Sequence, residues 1–239
     1  MTVTHYKLFV LCHLSTEHLN IEQLNFYYFD IQYTDPLLLY TLSEPELDLH
    51  KFDVVLTNPP FGKEIKVTDK PILSQFELAH TRKIVTKNGR SIIKRGRKPK
   101  NAVRPSLLFL ERCFQFLNEK NKGARMCIVL PVGDLSNDED WFVRVWLMQN
   151  TEIFAIVQLP NQTFQPYTGT QTCLVFLRPI ENSSYSHKVF MAQVEKVGKD
   201  QRGKVIYKRK VDGSLDLDND GKKIIDDHLE DILDEYKKF

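Results

Sequence analysis

Asn58-Pro59-Pro60-Phe61 is the stretch of this sequence best equipped for chemistry. It follows Val54-Val55-Leu56, a short apolar, β-branched run with no alternation, which predicts a buried parallel strand. Pro59 and Pro60 remove two backbone donors and fix two φ angles, so the chain must leave the sheet as a stiff extended loop. An amide, a rigid turn and an aromatic ring then stand at the carboxyl end of a buried strand. That edge is where open α/β sheets place ligands. The Asn58 side-chain oxygen and the Pro59 carbonyl can both accept hydrogen bonds from one exocyclic amino group. An aromatic amine is a poor nucleophile because its lone pair is delocalised into the ring. Two fixed acceptors favour the pyramidal, localised form as a methyl electrophile approaches, a stabilisation by preorganised dipoles. Phe61 can stack on the flat face of a base, and a base in duplex DNA must first be flipped out. The structural alternative is a Pro-rich turn after a core strand.

The elements that must position this loop follow it in the chain. Pro105 to Asn118 reads as a helix, with Pro105 near its first turn and Leu107, Leu108, Leu110, Phe114 and Leu117 on an apolar stripe. Arg125 to Pro131 is the next buried strand, and Val132-Gly133 turns out of it. Asp138 to Asn150 reads as a second helix, opened by acids that suit a helix N-terminus; its Trp141 and Trp146 suit a core or interface better than base stacking. Ile153 to Pro160 is a strand, 161–169 a loop, and Thr170 to Leu177 another strand. This is a doubly wound α/β pattern, with the last two strands an antiparallel pair because no helix separates them. Phe76 to Val85 reads as a short helix. Before residue 50 the pattern is weaker: Tyr6 to Leu14 suits a strand or helix, and Asn25 to Tyr33 a strand. Val189 to Val194 is a further strand candidate, 196–210 is basic and glycine-punctuated, and 212–221 is an acidic connector that lacks the bidentate Glu of a calcium loop. Ile224 to Phe239 reads as an amphipathic helix that packs back on the domain or docks a partner. No internal repeat is visible.

With 239 residues, 42% hydrophobic and 27% charged, the chain is long enough for one sizeable domain of ordinary composition. The net charge of +2 hides a sharp asymmetry. From Arg82 to Arg104 there are ten Lys or Arg and no acid, whereas Asp212 to Glu235 holds ten Asp or Glu against two Lys. Lys94, Arg95, Arg97, Lys98 and Lys100 are interspersed with Gly96 and Pro99, which predicts a mobile loop on the ligand-facing edge. A phosphate backbone suits such a loop, for positioning and not for reading sequence; a plain solvated surface loop is the alternative. Cys12, Cys113, Cys127 and Cys173 form no C-x-x-C pair and no metal set, which favours reduced structural thiols. None follows a proline, so a Pro-Cys nucleophile for cytosine C5 is excluded. No signal peptide or bilayer-length apolar run is present, and a cytoplasmic protein is expected.

Asn-Pro-Pro-Phe after a buried strand resembles the catalytic motif of the amino-group DNA methyltransferases. The wider Phe52-Asp53-Val54-Val55-Leu56-Thr57-Asn58-Pro59-Pro60-Phe61-Gly62 resembles the modification (M) subunit of type I restriction-modification systems, which makes N6-methyladenine. The resemblance covers roughly residues 52–239. It implies an S-adenosylmethionine-dependent methyltransferase-like sheet, doubly wound, mostly parallel, with an antiparallel last strand. It implies Asn58, Pro59, Pro60 and Phe61 as catalytic residues, with Asn58 also at the cofactor. An acidic residue touching the cofactor's adenine would be Asp35, which can equally cap a turn before Pro36. The 161–169 loop would flank the flipped-base pocket, with Phe164 a candidate there, although a core or hairpin role suits it better. Implied partners are DNA, a specificity (S) subunit and a restriction (R) subunit.

The family's Gly-rich cofactor loop has no counterpart upstream of the motif, since the first glycine is Gly62. A C-terminal portion of a longer catalytic domain is therefore expected. On this reading 1–50 is a partial N-terminal half, 51–180 the catalytic α/β region with a basic loop at 82–104, and 181–239 a C-terminal strand, connector and helix. Two other functions stay open: a protein glutamine methyltransferase, whose motif is similar, and a catalytically incompetent piece serving DNA contact or assembly.

Overall fold

The computed structural model describes residues 6–12, 25–31, 52–60, 66–87, 90–180 and 187–239. A seven-stranded sheet runs through them. Its strands are β1 (Tyr6–Cys12), β2 (Asn25–Ile31), β3 (Val54–Thr57), β6 (Arg125–Pro131), β7 (Thr151–Leu159), β8 (Thr172–Pro179) and β9 (Phe190–Gln193), in the order β2-β1-β3-β6-β8-β7-β9. β3 pairs parallel with β6, and β7 with β9. β1 lies antiparallel between β2 and β3, and β8 antiparallel between β6 and β7. The sheet is therefore mixed, with β1 and β8 opposed to the other five. The expected antiparallel pair exists, with β8 inserted into the sheet and β9 outside β7.

The apolar runs lack alternation because both faces of the sheet are covered. Cys173, Val175 and Leu177 of β8 enter one core cluster, while Leu174 and Phe176 join a second on the opposite face. The larger cluster is filled by α2 (Pro105–Phe116), where Leu107, Leu108 and Leu110 are all buried. α4 (Trp141–Asn150) adds Trp146, whose ring meets Phe114 edge-on at 5.8 Å. α4 is shorter than expected because Asp138–Asp140 forms a separate 3-10 turn. Val132-Gly133, expected as a turn, opens one short helical stretch, α3 (Val132–Ser136).

Two expectations between β3 and α2 fail. Phe76 to Val85 is not a helix: α1 spans only Lys70–Ser74, capped by Asp69, whose carboxylate accepts from Ile72 N at 2.9 Å. The expected mobile loop is a two-stranded antiparallel ribbon of β4 (His80–Lys87) and β5 (Arg90–Pro99). The β-branched residues Thr81, Ile84, Val85, Thr86, Ile92 and Ile93 favour strands. The intervening dipeptide, Asn88-Gly89, is one enriched in two-residue hairpin links. Charge masked this pattern in the sequence.

The presumed connector before the last helix is also folded. Three tight turns, Asp200–Lys204, Lys210–Ser214 and Asp218–Lys222, close with the same two backbone bonds, and each places a glycine at positive φ (Gly203 +78°, Gly213 +84°, Gly221 +76°). They repeat a structure without a fixed sequence period. Their stems meet in two cyclic three-way junctions. In one, Lys208 N donates to Ile224 O, Ile224 N to Asp216 O and Asp216 N to Lys208 O. In the other, Ile206 N donates to Gly198 O, Gly198 N to Asp226 O and Asp226 N to Ile206 O. These junctions absorb Ile224 and Ile225, so the terminal helix α5 begins only at Leu229 and runs to Lys238. It packs back through Ile232 and through Tyr236, whose ring lies 5.3 Å from that of Phe190. Among the described residues no helix is long and apolar enough to cross a membrane.

Candidate active site

The strand that carries the motif is anchored at its start. Phe52 N donates to Phe116 O at 2.9 Å, Asn118 N to Phe52 O at 2.8 Å, and Arg125 N to Asp53 O at 2.8 Å. The buried Asp53 carboxylate accepts from Asn121 Nδ2 at 2.6 Å. Beyond Thr57 the chain leaves the sheet through Pro59 and Pro60, both buried. Asn58 sits between these fixed points, half-buried. Its Oδ1 is buried and has no hydrogen-bond partner among the described residues. Such an acceptor costs about 1–3 kcal/mol when left unpaired. A few other buried oxygens share this condition, Thr172 Oγ1 and Gln115 Oε1 among them. Asn58 differs in carrying a side-chain amide on the loop that leaves the carboxyl end of β3.

The same edge gathers three further segments. β6 runs parallel to β3 with Ile128 opposite Thr57, so α3 leaves the sheet on that side and brings Asp134 with it. β7 ends at Leu159, and the chain returns at Thr172, which pairs with both Leu159 and Pro131. The intervening 160–171 loop is braced from the C-terminal part: Lys199 Nζ donates to Thr163 O at 3.2 Å. Phe164 packs with the second core cluster, in keeping with the core role weighed for it.

A buried ionic cluster lies at this edge. Arg104 Nε is 3.2 Å from Asp134 Oδ1 and its Nη2 is 2.7 Å from Asp140 Oδ1, while Ser106 Oγ donates to Asp134 Oδ2 at 2.5 Å. Burial pushes the Asp134 carboxyl above the usual carboxylate range, against the pull of Ser106 and Arg104. A second buried carboxylate, Glu111 of α2, accepts from Glu77 N and Leu78 N, each at 2.8 Å. Burial raises its pKa too, opposed by those two amides. Glu111 therefore holds the segment leading into the ribbon, and Arg104 holds the segment leaving it. Neither role was visible in the sequence, because each partner lies about thirty residues away.

The expected DNA-contacting residues fall in two groups. Lys94, Arg95, Arg97 and Lys98 lie on β5 and are exposed. The Arg95 guanidinium lies 3.2 Å from the His80 ring, and His80 is itself buried, with Nδ1 2.7 Å from Phe76 O. Lys100 follows the strand and is half-buried, with its ammonium 3.7 Å from the centre of the Phe142 ring. Burial pushes Lys100 below the usual lysine range, against the pull of Asp140. Three cysteines are poor nucleophiles: burial pushes the thiols of Cys113, Cys127 and Cys173 up to about 12.

An α/β sheet with β8 inserted antiparallel between β6 and β7, and an Asn-Pro-Pro turn at the carboxyl end of β3, defines a methyltransferase-like fold. The family comparison agrees: the profile described as N-6 DNA Methylase matches residues 12–237. The chain belongs to that family, and the resemblance read from the motif is borne out. It is 28% identical over 126 residues to the type I restriction enzyme EcoEI methylase subunit of Escherichia coli, a match covering 52% of this chain and 20% of the relative. Against the type I restriction-modification system methyltransferase subunit of Streptococcus thermophilus, identity is 22% and the TM-score 0.48, covering 83% of this chain and 35% of the other. Against the type I restriction enzyme EcoKI M protein, identity is 20% and the TM-score 0.37, covering 58% and 23%. The chain thus spans about a fifth of the length of the curated relative it matches.

The acceptor side of such a site fits what is present, since Asn58 offers an oxygen in need of a donor. No glycine precedes Gly62 to let backbone amides approach a carboxylate closely. Asp35 and Phe61 lie outside the described residues.

Proposed function

We propose that this chain is the portion of a type I modification subunit that receives the target base, in a reaction that methylates adenine N6 in DNA. The observation that carries the reading is the unpartnered Asn58 oxygen at the carboxyl edge of β3. An extruded adenine would donate one amino hydrogen to Asn58 Oδ1 and the other to the Pro59 carbonyl. Pairing removes the cost of the orphaned acceptor, and it localises the nitrogen lone pair as the reaction proceeds. Pro60 stiffens the loop and Phe61 stacks on the base. S-adenosylmethionine would supply the methyl group when bound, with Asp35 at its adenine. Lys94, Arg95, Arg97, Lys98 and Lys100 are proposed at the DNA, and a specificity and a restriction subunit are the proposed protein partners.

Replacing Asn58 by Ala tests this. Transfer of labelled methyl from S-adenosylmethionine to DNA, measured with the specificity subunit present, should fall at least 100-fold, as for loss of one preorganised donor or acceptor at a reacting centre. DNA binding should persist. Methylation retained by Asn58→Ala overturns the assignment. The protein glutamine alternative would show as methyl transfer to peptide and not to DNA; the ten-cation stretch around the ribbon favours DNA.

A further inference from the structure

The β4–β5 ribbon carries a charge arrangement that opposes its own folding. Residues directly opposite on antiparallel strands share a face. Lys83 faces Lys94, and Lys87 faces Arg90, with Val85 and Ile92 paired between them. All four cations are exposed, and among the described residues no acid lies within ion-pair distance of any of them. Like charges directly opposite destabilise a ribbon. Two strands alone are marginal in water, and Ile84 and Ile92 remain 60% and 43% exposed, so the core offsets little of that repulsion. The other face is different. Arg82 faces Arg95, but Arg82 pairs with Glu77 at 3.4 Å and Arg95 lies against His80. The foot of the ribbon is therefore tied to the domain, and its outer half presents unneutralised cations on one face.

We propose that the face formed by Lys83, Lys87, Arg90 and Lys94 grips the phosphates lining the major groove of duplex DNA beside the extruded base. This rests on the DNA reading above and adds three residues, Lys83, Lys87 and Arg90, to it. The major groove is about 12 Å wide and admits a two-stranded ribbon. The two cation pairs stand four residues apart, about 13 Å along the strand, so they can meet separate phosphates. The contact would orient the duplex without reading sequence. Arg95 and Lys100, whose charged ends already meet the His80 and Phe142 rings, would reach the DNA from outside this face.

The test is the salt dependence of duplex binding by the full chain. A fluorescein-labelled 30-base-pair duplex is titrated with wild type and with K83Q/K87Q/R90Q/K94Q at several NaCl concentrations. Each neutralised phosphate contributes about 0.9 to the slope of log K against log salt, so loss of four contacts should make the variant slope shallower by about 3 to 4. Its thermal midpoint should equal or exceed that of wild type, because repulsion within the ribbon is gone. A slope change below one, failure of wild type to bind duplex, or a variant that changes only self-association overturns the proposal. Methyl transfer by the Asn58→Ala variant reports separately. A ribbon-dependent slope together with methylation that ignores Asn58 would sink the functional reading and leave the ribbon proposal standing.

Discussion

Arg104 joins Asp140 through a 2.7 Å ion pair, fastening the segment that leaves the ribbon to the 3-10 turn at the sheet edge. The same guanidinium reaches Asp134, whose side chain is only 2% exposed. One cation thus serves two carboxylates that have little water to fall back on.

Removing that cation should be costly. Arg104→Met leaves Asp134 and Asp140 buried together without their shared cation, with the Ser106 hydroxyl on Asp134 and the Asn137 amide 3.5 Å from Asp140. Breaking a buried pair by deleting one partner costs about 3–5 kcal/mol, and the lower end applies because Arg104 remains one-third exposed. Urea unfolding measures it. Adding Asp140→Asn to Arg104→Met should recover part of the loss, since the two changes share a partner. A single-variant cost below about 1 kcal/mol would show that the cluster is hydrated and carries little stability.

Glu111 predicts a pH dependence of definite sign. Its folded pKa lies above the ordinary glutamate value, so the folded state holds the proton more tightly. The stability from that proton is fully present below about pH 4.3 and is lost as pH rises through the folded pKa. Glu111→Gln replaces one acceptor oxygen with a donor and leaves either Glu77 N or Leu78 N unpaired, at about 1–3 kcal/mol. That cost should shrink as pH rises from 4 towards 7, measured by urea midpoints across the range. A cost that grows with pH would mean that the two amide bonds outweigh burial and that the direction assigned to Glu111 is wrong.

The turn glycines should rank by surroundings. Gly203, Gly213 and Gly221 all sit at positive φ, where an L side chain costs about 1–2 kcal/mol. A Cβ on Gly213 or Gly221 meets nothing within 4 Å, whereas one on Gly203 would come within 2.6 Å of the Gln165 carbonyl oxygen. Gly203→Ala should therefore destabilise clearly more than Gly213→Ala or Gly221→Ala in thermal melts. Equal effects in the three variants would argue against close packing of the turn on the 160–171 loop.

What the sequence determined alone is local. Val54 to Leu56, Met126 to Leu130 and Cys173 to Leu177 are apolar runs bounded by proline or polar residues, and they read as strands because burial on both faces removes alternation. Asn58-Pro59-Pro60 was legible because two fixed φ angles leave a loop few conformations. The Pro105 helix was legible from its first-turn proline and its apolar stripe. The tertiary structure alone decided the pairings. That His80–Lys87 and Arg90–Pro99 form a ribbon depends on cross-strand register, which the dense charge conceals despite the strand propensity of Ile84, Val85, Ile92 and Ile93. That 196–228 folds into three turns meeting at two junctions depended on bonds such as Gly198 N to Asp226 O, between residues far apart in the chain. Nothing local marks Glu111 or Arg104 as special; only the packing of α2 and α3 buried Glu111, partly buried Arg104 and gave each its partners. Spacing along a chain encodes short-range periodicity, whereas ion pairs and junctions require the closure of long loops that no local pattern reports.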